Sequence, residues 1–279
     1  MNHHDWTAEQ DETTLPVDEH DLRVAYYEAG VGNGGPPVVL LHGIPTWSFL
    51  WRHVVAGLAE DRHVIAPDLL GYGNSAMHDG FDRSIRAQEV MLAGLIEMQQ
   101  AETVSLVGHD IGGGVALRYA VHTPDAVDQL VLSNAVAYDS WPIDSVVELG
   151  VPTVPESQPD LIDQLLGMAF SEEFMVASPE PAFVDGMKAP WASDRGRRSL
   201  VRNAISLNTN HTTELDPTAV TAETLLLWGA DDHAQPMGYA ERLADDIAEA
   251  TVSGLENASH WLMEDRREEY VRRLQSFLV

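Results

Sequence analysis

The chain has 279 residues, of which 44% are hydrophobic and none is cysteine. This length allows one large domain or a domain with a sizeable insertion, and the lack of cysteine excludes disulfides, thiolate metal sites and thiol nucleophiles. Asp and Glu number 44 against 16 Lys and Arg, so the formal net charge at pH 7 is −28. A surface of this charge repels polyanions, which disfavours nucleic acids and anionic membranes as partners.

The location and habitat of the protein are also predicted from composition. No run of about 18 apolar residues is present, so no membrane span is expected. The N-terminus, MNHHDWTAEQDETTLPVDEH, lacks the basic start and apolar stretch of a signal peptide, which indicates a cytoplasmic protein. The acidic excess, with Lys188 as the single lysine, favours a halophile's protein; an acidic protein from a GC-rich genome is the alternative.

The predicted elements alternate between strand and helix along the first half of the chain. Residues 1–16 are polar and acidic and are expected to form a frayed tail, and the alternating pattern DLRVAYYEAG predicts the first strand. The strands and helices predicted next are, in chain order, PPVVLLH, TWSFLWRHVVAGLAE, HVIAPD, RSIRAQEVMLAGLIEMQQ, TVSLVG, IGGGVALRYAVHT and QLVLSNA. This repetition predicts a mostly parallel sheet with helices on both faces, the α/β class.

The alternation breaks between residues 138 and 215. This region is rich in proline and contains helical patterns, DLIDQLLGMAF and RGRRSLVRNAISL, without a convincing strand. Strand and helix patterns then resume as TLLLWG, GYAERLADDIAEA, ATVSGL and DRREEYVRRLQSFLV. We therefore predict one α/β core of residues 17–137 and 216–279, interrupted by a helical cap of residues 138–215.

The first chemical motif is VGHDIGGG, which joins a predicted buried strand to a helix. Gly108 and Gly112 would relieve crowding in a sharp turn, and Asp110 would project from the carboxyl edge of the sheet as a nucleophile. The backbone N–H of Ile111 would point at an oxyanion beside Asp110. The alternative is an aspartate that only caps the helix.

An acid and a histidine follow in the order that such a nucleophile requires. LLLWGADDHAQP places Asp231 and Asp232 just after a strand, and the spacing to Pro236 favours Asp232, with Asp231 as its competitor. His260, in ENASHWLM, lies before the last helix and is the predicted general base. In HGIPTW, the turn after another strand would expose the backbone N–H of Ile44 as a second oxyanion donor.

Taken together, these motifs resemble the α/β-hydrolase superfamily. The matching segments are HGIPTWSFLWR, APDLLGYGNS, VGHDIGGG, LLLWGADD and ASHW. They are similar, more narrowly, to its aspartate-nucleophile branch of haloalkane dehalogenases and epoxide hydrolases, and HGIPTWSFLWR leans toward the dehalogenases. The resemblance implies a helical cap inserted in an α/β-hydrolase core and a small-molecule substrate that reacts with water. No cofactor is expected, and the remaining histidines are too scattered for a metal site.

A carboxylate nucleophile implies chemistry at sp³ carbon. Since the reference pKa of aspartic acid is near 4, Asp110 would be ionised at neutral pH and could displace a leaving group, which leaves an alkyl ester on its side chain. His260, oriented by Asp232, would then deprotonate a water that attacks this ester. The N–H groups of Ile44 and Ile111 would stabilise the oxyanion.

The residues that would assist the leaving group depart from both families. Dehalogenases normally bind the halide with the indole of a tryptophan directly after the nucleophile, where this chain has Ile111. Trp141 or Trp191 could replace it, although both also fit the role of core aromatics. Epoxide hydrolases use two cap tyrosines, and Tyr138 is the single tyrosine of the predicted cap. Asn134, just after a strand, is a further candidate for the pocket wall.

Haloalkane dehalogenation is the favoured reaction, because HGIPTWSFLWR resembles the dehalogenases. Epoxide hydrolysis by the same two steps and ester or lactone hydrolysis are the alternatives among enzymes. A ligand-binding protein with a vestigial site is the alternative outside them.

Overall fold

A computed structural model describes residues 1–155, 158 and 160–279 in full, and the backbone alone of residues 156, 157 and 159. The strands are β1 (Asp11–Val17), β2 (His20–Ala29), β3 (Val38–Leu41), β4 (Val64–Pro67), β5 (Val104–Asp110), β6 (Val127–Ala135), β7 (Glu223–Gly229) and β8 (Ala250–Leu255). They form one sheet in the order β1-β2-β4-β3-β5-β6-β7-β8. The first two pairings, β1 with β2 and β2 with β4, are antiparallel, and the others are parallel.

The helices of the core come in two groups along the chain, one before and one after an inserted helical segment. The core helices are α1 (His3–Ala8), α2 (Arg52–Leu58), α3 (Ile85–Met98) and α4 (Ile111–His122). The inserted helices are α5 (Asp144–Leu149), α6 (Val154–Ser157), α7 (Pro159–Ala169), α8 (Pro181–Lys188), α9 (Asp194–Ile205) and α10 (Asn210–Thr213). The core then continues with α11 (Gly238–Asp246), α12 (Leu262–Asp265) and α13 (Arg267–Leu278). The predicted α/β architecture with a helical insertion is thus confirmed.

The central strands are apolar because both of their faces are covered. Every residue of β3, β4 and β5 is buried, as parallel strands between two layers of helices require. The carboxyl ends of β3, β5 and β7 meet at one edge of the sheet, so the segments that follow them lie close together. Within the described residues, no helix has the length and apolar composition that crossing a membrane requires.

The N-terminal segment differs from its prediction. Residues 1–16 are not a frayed tail, because they form α1 and then β1, which pairs with β2. The Asn2 side chain caps α1, and Trp6 is buried, stacks on Tyr27 with ring centroids 3.9 Å apart, and donates a hydrogen bond to Ser48 Oγ at 3.0 Å. The buried ring of Trp6 thus holds this segment against the core, although its polar composition did not indicate an ordered structure.

Candidate active site

The nucleophile elbow is a sharp turn between β5 and α4. Asp110 has φ 53° and ψ −123°, a backbone conformation that costs energy and that active sites maintain through their surroundings. A Cβ atom at Gly108 would lie 2.5 Å from the carbonyl oxygen of Gly112, and one at Gly112 would lie 2.4 Å from that of His42. Both glycines are therefore needed for the turn.

The carboxylate of Asp110 already occupies the predicted oxyanion hole. The backbone N–H of Ile44 donates to Asp110 Oδ1 at 2.9 Å, and the backbone N–H of Ile111 lowers the pKa of the same carboxylate. A Cβ atom at Gly43 would lie 2.4 Å from the same Oδ1, so only glycine lets the turn approach this closely. The turn that follows β3 thus encloses the Oδ1 end of the carboxylate.

His42 positions the oxyanion turn, a role that the sequence did not suggest. Its Nε2 accepts a hydrogen bond from the backbone N–H of Leu69 at 3.0 Å, so Nδ1 carries the proton and donates to the carbonyl of Gly43, also at 3.0 Å. Burial lowers the pKa of His42 to about 4. The ring therefore stays neutral at pH 7 and keeps both hydrogen bonds.

The structure brings His260 together with Asp232 rather than Asp231. His260 Nδ1 donates to Asp232 Oδ2 at 2.9 Å, while Asp232 Oδ1 accepts backbone N–H bonds from Ala234 at 2.8 Å and Gln235 at 3.1 Å. Asp232 is buried, whereas Asp231 is exposed. The acid that contacts the histidine is thus the one favoured by its spacing to the following proline.

His260 faces Asp110 without forming a hydrogen bond to it. Its Nε2 lies 4.0 Å from Asp110 Oδ2, beyond hydrogen-bond distance. Burial lowers the pKa of His260, but the negative charge of Asp232, the hydrogen bond to it and the charge of Asp110 together raise the pKa above its ordinary value. Burial also raises the pKa of Asp110, against the opposing effects of His260 and the two backbone N–H groups.

Asn134 holds the histidine loop and does not line the cavity, where it was expected. Its Nδ2 donates to the carbonyls of Ser259 at 2.9 Å and His260 at 3.0 Å, and its Oδ1 accepts the N–H of Gly229 at 2.9 Å. His109 Nε2 also donates to the carbonyl of His260 at 2.9 Å. Both side chains fix the backbone that carries His260.

A cavity of about 80 Å³ lies between this polar floor and the cap. Most of its wall is apolar, with side chains from α4, α5 and α7 and from the loops beside them, including Val146, Leu149, Leu165 and, after α7, Phe174. Asp110 and His260 reach it from the core. The space therefore suits a small, mostly apolar molecule next to a carboxylate.

The tryptophans do not supply the predicted halide donors. Trp141 lines the cavity, but its indole N–H donates to Thr212 Oγ1 at 2.7 Å. Trp191 is absent from the cavity wall, and its indole donates to the carbonyl of Pro45 at 2.8 Å. A third indole, that of Trp261, lines the cavity and donates to a backbone carbonyl at 2.6 Å. Each of the three indole N–H groups already donates to an oxygen atom of the protein, so none is available to bind a halide.

The predicted phenol is likewise directed elsewhere. The hydroxyl of Tyr138 donates to the Asp246 carboxylate at 2.5 Å, and the guanidinium of Arg242 lies 3.6 Å from the centre of its ring. Tyr138 is not part of the cavity wall, and among the described residues that form the wall there is no tyrosine. These surface partners draw the ring away from Asp110.

Sequence reasoning missed Gln235, which also lines the cavity. Its position between the acid Asp232 and Pro236, on a loop at the carboxyl edge of the sheet, was the available signal. Among the side chains that the structure describes, no group of three or more His, Asp or Glu residues could hold a metal ion.

Comparison with known proteins agrees with this geometry. Residues 38–273 match the model of the alpha/beta hydrolase family. Haloalkane dehalogenase 2 of Mycobacterium tuberculosis is 29% identical over 254 residues, which is 87% of each chain. Cis-3-alkyl-4-alkyloxetan-2-one decarboxylase of Shewanella oneidensis is 25% identical over 297 aligned positions, 96% of this chain and 90% of that protein.

A solved structure of an alpha/beta hydrolase fold protein from Burkholderia ambifaria superposes with a TM-score of 0.82 at 25% identity, covering 95% of this chain and 100% of that one. The match of the family model to most of the chain confirms the resemblance that the motifs indicated. The protein belongs to the alpha/beta hydrolase family and is an enzyme.

Proposed function

We propose that the protein is a hydrolase that forms a covalent alkyl ester on Asp110 and acts as a haloalkane dehalogenase on small apolar substrates. The observation that carries this proposal is the position of the Asp110 carboxylate. Its Oδ1 is held by the backbone N–H of Ile44, which leaves Oδ2 as the oxygen that can attack. An ester formed through Oδ2 would keep its carbonyl oxygen in the hole where negative charge later develops.

The first step is a displacement at sp³ carbon. Asp110 Oδ2 donates an electron pair to the substrate carbon, and the carbon–halogen bond breaks with its electron pair leaving on the halide. The apolar wall excludes water around the carboxylate, so Asp110 is less stabilised by solvent in the ground state than a free carboxylate. The product of this step is the alkyl ester and a halide ion.

The second step is hydrolysis of that ester. His260 Nε2 takes a proton from a water, whose oxygen attacks the carbonyl carbon of the Asp110 ester. The N–H groups of Ile44 and Ile111 stabilise the tetrahedral oxyanion. The oxyanion collapses, and the alcohol product leaves with the proton from His260. Asp110 retains one oxygen from the water as a carboxylic acid, which releases its proton to solvent to restore the carboxylate.

The leaving group must depart without a side-chain acid. Bromide and iodide meet this condition because both are stable anions, whereas the alkoxide from an epoxide needs a proton at once. The cavity wall, as far as the structure describes it, offers neither a phenol nor a free indole N–H. Bromoalkanes are therefore better candidates than epoxides.

A second candidate is hydrolysis of a small lactone through the same ester. Attack of Asp110 on the ring carbon that bears the alkyl oxygen would release a carboxylate, which also needs no proton as it leaves. The Shewanella relative is named for an oxetan-2-one, a four-membered lactone. The missing leaving-group acid thus fits this substrate class as well as bromoalkanes.

The experiment that tests the proposal traps the ester. His260→Gln is mixed with 1-bromobutane, and the intact protein is weighed by mass spectrometry. We expect one butyl group on the peptide that contains Asp110, and none in the Asp110→Asn control. The assay is run at low salt and in molar potassium chloride, because the acidic composition predicts a protein adapted to high salt.

The origin of the product oxygen gives an independent result. After one turnover of the native enzyme in heavy-oxygen water, we expect the label on Asp110 and an unlabelled alcohol. A labelled alcohol with unlabelled Asp110 would contradict the proposal, because it would show that water attacks the substrate directly.

A further inference from the structure

Gln235 is a buried polar side chain that the two proposed steps do not use. Its backbone is held in place, because its N–H donates to Asp232 Oδ1 at 3.1 Å and its carbonyl accepts the indole N–H of Trp228 at 2.7 Å. The residue is 2% exposed and lines the cavity beside His260. Its Oε1 is buried and has no hydrogen-bond partner among the described residues.

An amide in this position is unfavourable unless something binds to it. Nearly all buried polar atoms in folded proteins have a hydrogen-bond partner, and a buried atom without one destabilises the fold. Leucine or methionine would fill the same space at no such cost. The rest of the acid loop is well satisfied, since both oxygens of Asp232 accept hydrogen bonds. The unpaired amide thus stands out within an ordered loop.

The other polar groups of the cavity are already accounted for. Asp110 and His260 carry the reaction, and the indole N–H groups of Trp141 and Trp261 bond to other residues. Ser145, on α5 of the cap, also lines the cavity but is only partly buried. Among the described residues of the wall, Gln235 is therefore the fully buried polar side chain without a role.

We propose that Gln235 determines specificity by hydrogen bonding to an oxygen atom of the substrate. This inference rests on the proposed function, because it assumes that the substrate reacts at Asp110 in the same cavity. The amide donates through Nε2 and accepts through Oε1, so it matches a hydroxyl or a carbonyl oxygen. The preferred substrates are small neutral molecules in which an apolar chain carries one such oxygen.

The negative charge of Asp110 disfavours substrates that carry a carboxylate. No lysine or arginine is among the described residues of the cavity wall. His260 already faces the two carboxylates of Asp110 and Asp232, so a substrate carboxylate would add a third negative charge without a further cation. An amide, in contrast, binds neutral oxygen atoms and adds no charge next to the nucleophile. The apolar side chains of the cap then cover the remaining carbon atoms of the substrate.

The test compares pairs of substrates that differ only in a methyl group and a hydroxyl group. Terminal bromoalkanes are matched with bromo-alcohols of the same number of heavy atoms, for example 1-bromobutane with 3-bromo-1-propanol. For each pair the ratio of kcat/KM, alcohol over alkane, is measured in the native enzyme, in Gln235→Met and in Gln99→Met. Gln99 lies at the end of α3 and is not part of the cavity wall, so it is the matched control.

We expect the native enzyme to favour the bromo-alcohol at one chain length at least. At that length Gln235→Met should lower the ratio about tenfold, since one hydrogen bond to a buried group is lost, and Gln99→Met should leave it unchanged. An unchanged ratio in Gln235→Met overturns the inference, as does a lower ratio in Ser145→Ala with no change in Gln235→Met. Should Gln235→Met not fold, Gln235→Leu takes its place with the same expected ratio.

A binding measurement separates this inference from the proposed function. Should no substrate release halide or alkylate Asp110, the proposed function fails, and Gln235 is tested by affinity alone. Short alcohols and ketones are titrated into the native protein and Gln235→Met by calorimetry. Weaker binding to Gln235→Met by about tenfold supports the contact, and equal affinity overturns it.

Discussion

The floor and the cap wall of the cavity are built on different principles. On the floor, the carboxylates of Asp110 and Asp232 and the ring of His260 are held by backbone N–H groups and by one another. On the cap side, the wall is apolar, and the indole N–H of Trp141 bonds away from the cavity to Thr212. The polar groups of the cavity thus lie on the core side, whereas the cap supplies most of its apolar wall.

The largest expected effect is on the floor, where one of two adjacent aspartates contacts His260. Asp232→Asn should lower kcat with 1-bromobutane by about 10²–10⁴-fold, because an amide cannot hold the imidazole with Nδ1 protonated and stabilise its positive charge as a carboxylate does. Asp231→Asn is the matched control, and its kcat should stay within about twofold of the native value, as for other surface substitutions. Steady-state halide release measures both.

The same two variants also test the alternative left open by the sequence, that Asp231 is the catalytic acid. A large loss in Asp231→Asn with little change in Asp232→Asn would mean that the exposed residue is the catalytic acid, contrary to the hydrogen bond between His260 and Asp232. In Asp232→Asn the alkyl ester should accumulate, since only the second step needs the base. That readout separates loss of the base from simple misfolding.

The floor could be predicted from sequence because its parts obey chain order and local spacing. The glycines around Asp110 indicate a sharp turn, because a Cβ atom at these positions would clash with nearby backbone. The acid and the histidine each follow a strand at the same edge of the sheet. The alternation of apolar runs and amphipathic patterns predicted the parallel sheet and the helical insertion in the same way. These signals are local, so they survive in a single sequence.

The cap wall could not be predicted because it depends on where side chains point. Trp141, Trp191 and Tyr138 were candidates on residue type alone, yet each donates its hydrogen bond to a partner distant in sequence or outside the cavity. The ordered structure of residues 1–16 could not be predicted for a similar reason, since it depends on Trp6 packing against Tyr27. Long-range packing of this kind leaves no periodic pattern.

A smaller effect is expected on the titration of His260. Asp110 raises the pKa of His260 through its negative charge, so Asp110→Asn should lower that pKa. The alkyl ester is neutral like the asparagine, so the same decrease applies during hydrolysis. Because the base must be unprotonated, the rate falls as pH drops through this lowered pKa, and the acid limb of ester hydrolysis should lie below the pKa of the free enzyme.

Two measurements check this titration. The pKa of His260 is measured by NMR in the native enzyme and in Asp110→Asn, and the pH profile of ester hydrolysis is measured in single turnovers of the native enzyme. His122→Gln is the control, since this exposed histidine lies on the far end of α4. A higher pKa in Asp110→Asn would contradict the charge interaction between the nucleophile and the base.

The smallest effect is expected from the cap, and it tests the division between the two regions directly. Trp141→Phe keeps an aromatic ring on the cavity wall but removes the five-membered part of the indole, including the N–H that donates to Thr212, so kcat/KM for bromoalkanes should change by less than about threefold. Melting should reveal a loss of stability of about 1–3 kcal/mol, from the missing hydrogen bond and from the buried carbon atoms that are lost. A loss of more than about 100-fold in halide release, the size expected for one preorganised donor, would instead show that this indole turns into the cavity and binds the halide. In that case the cap would take part in the reaction, and the leaving group would be assisted from the side that the structure shows as apolar.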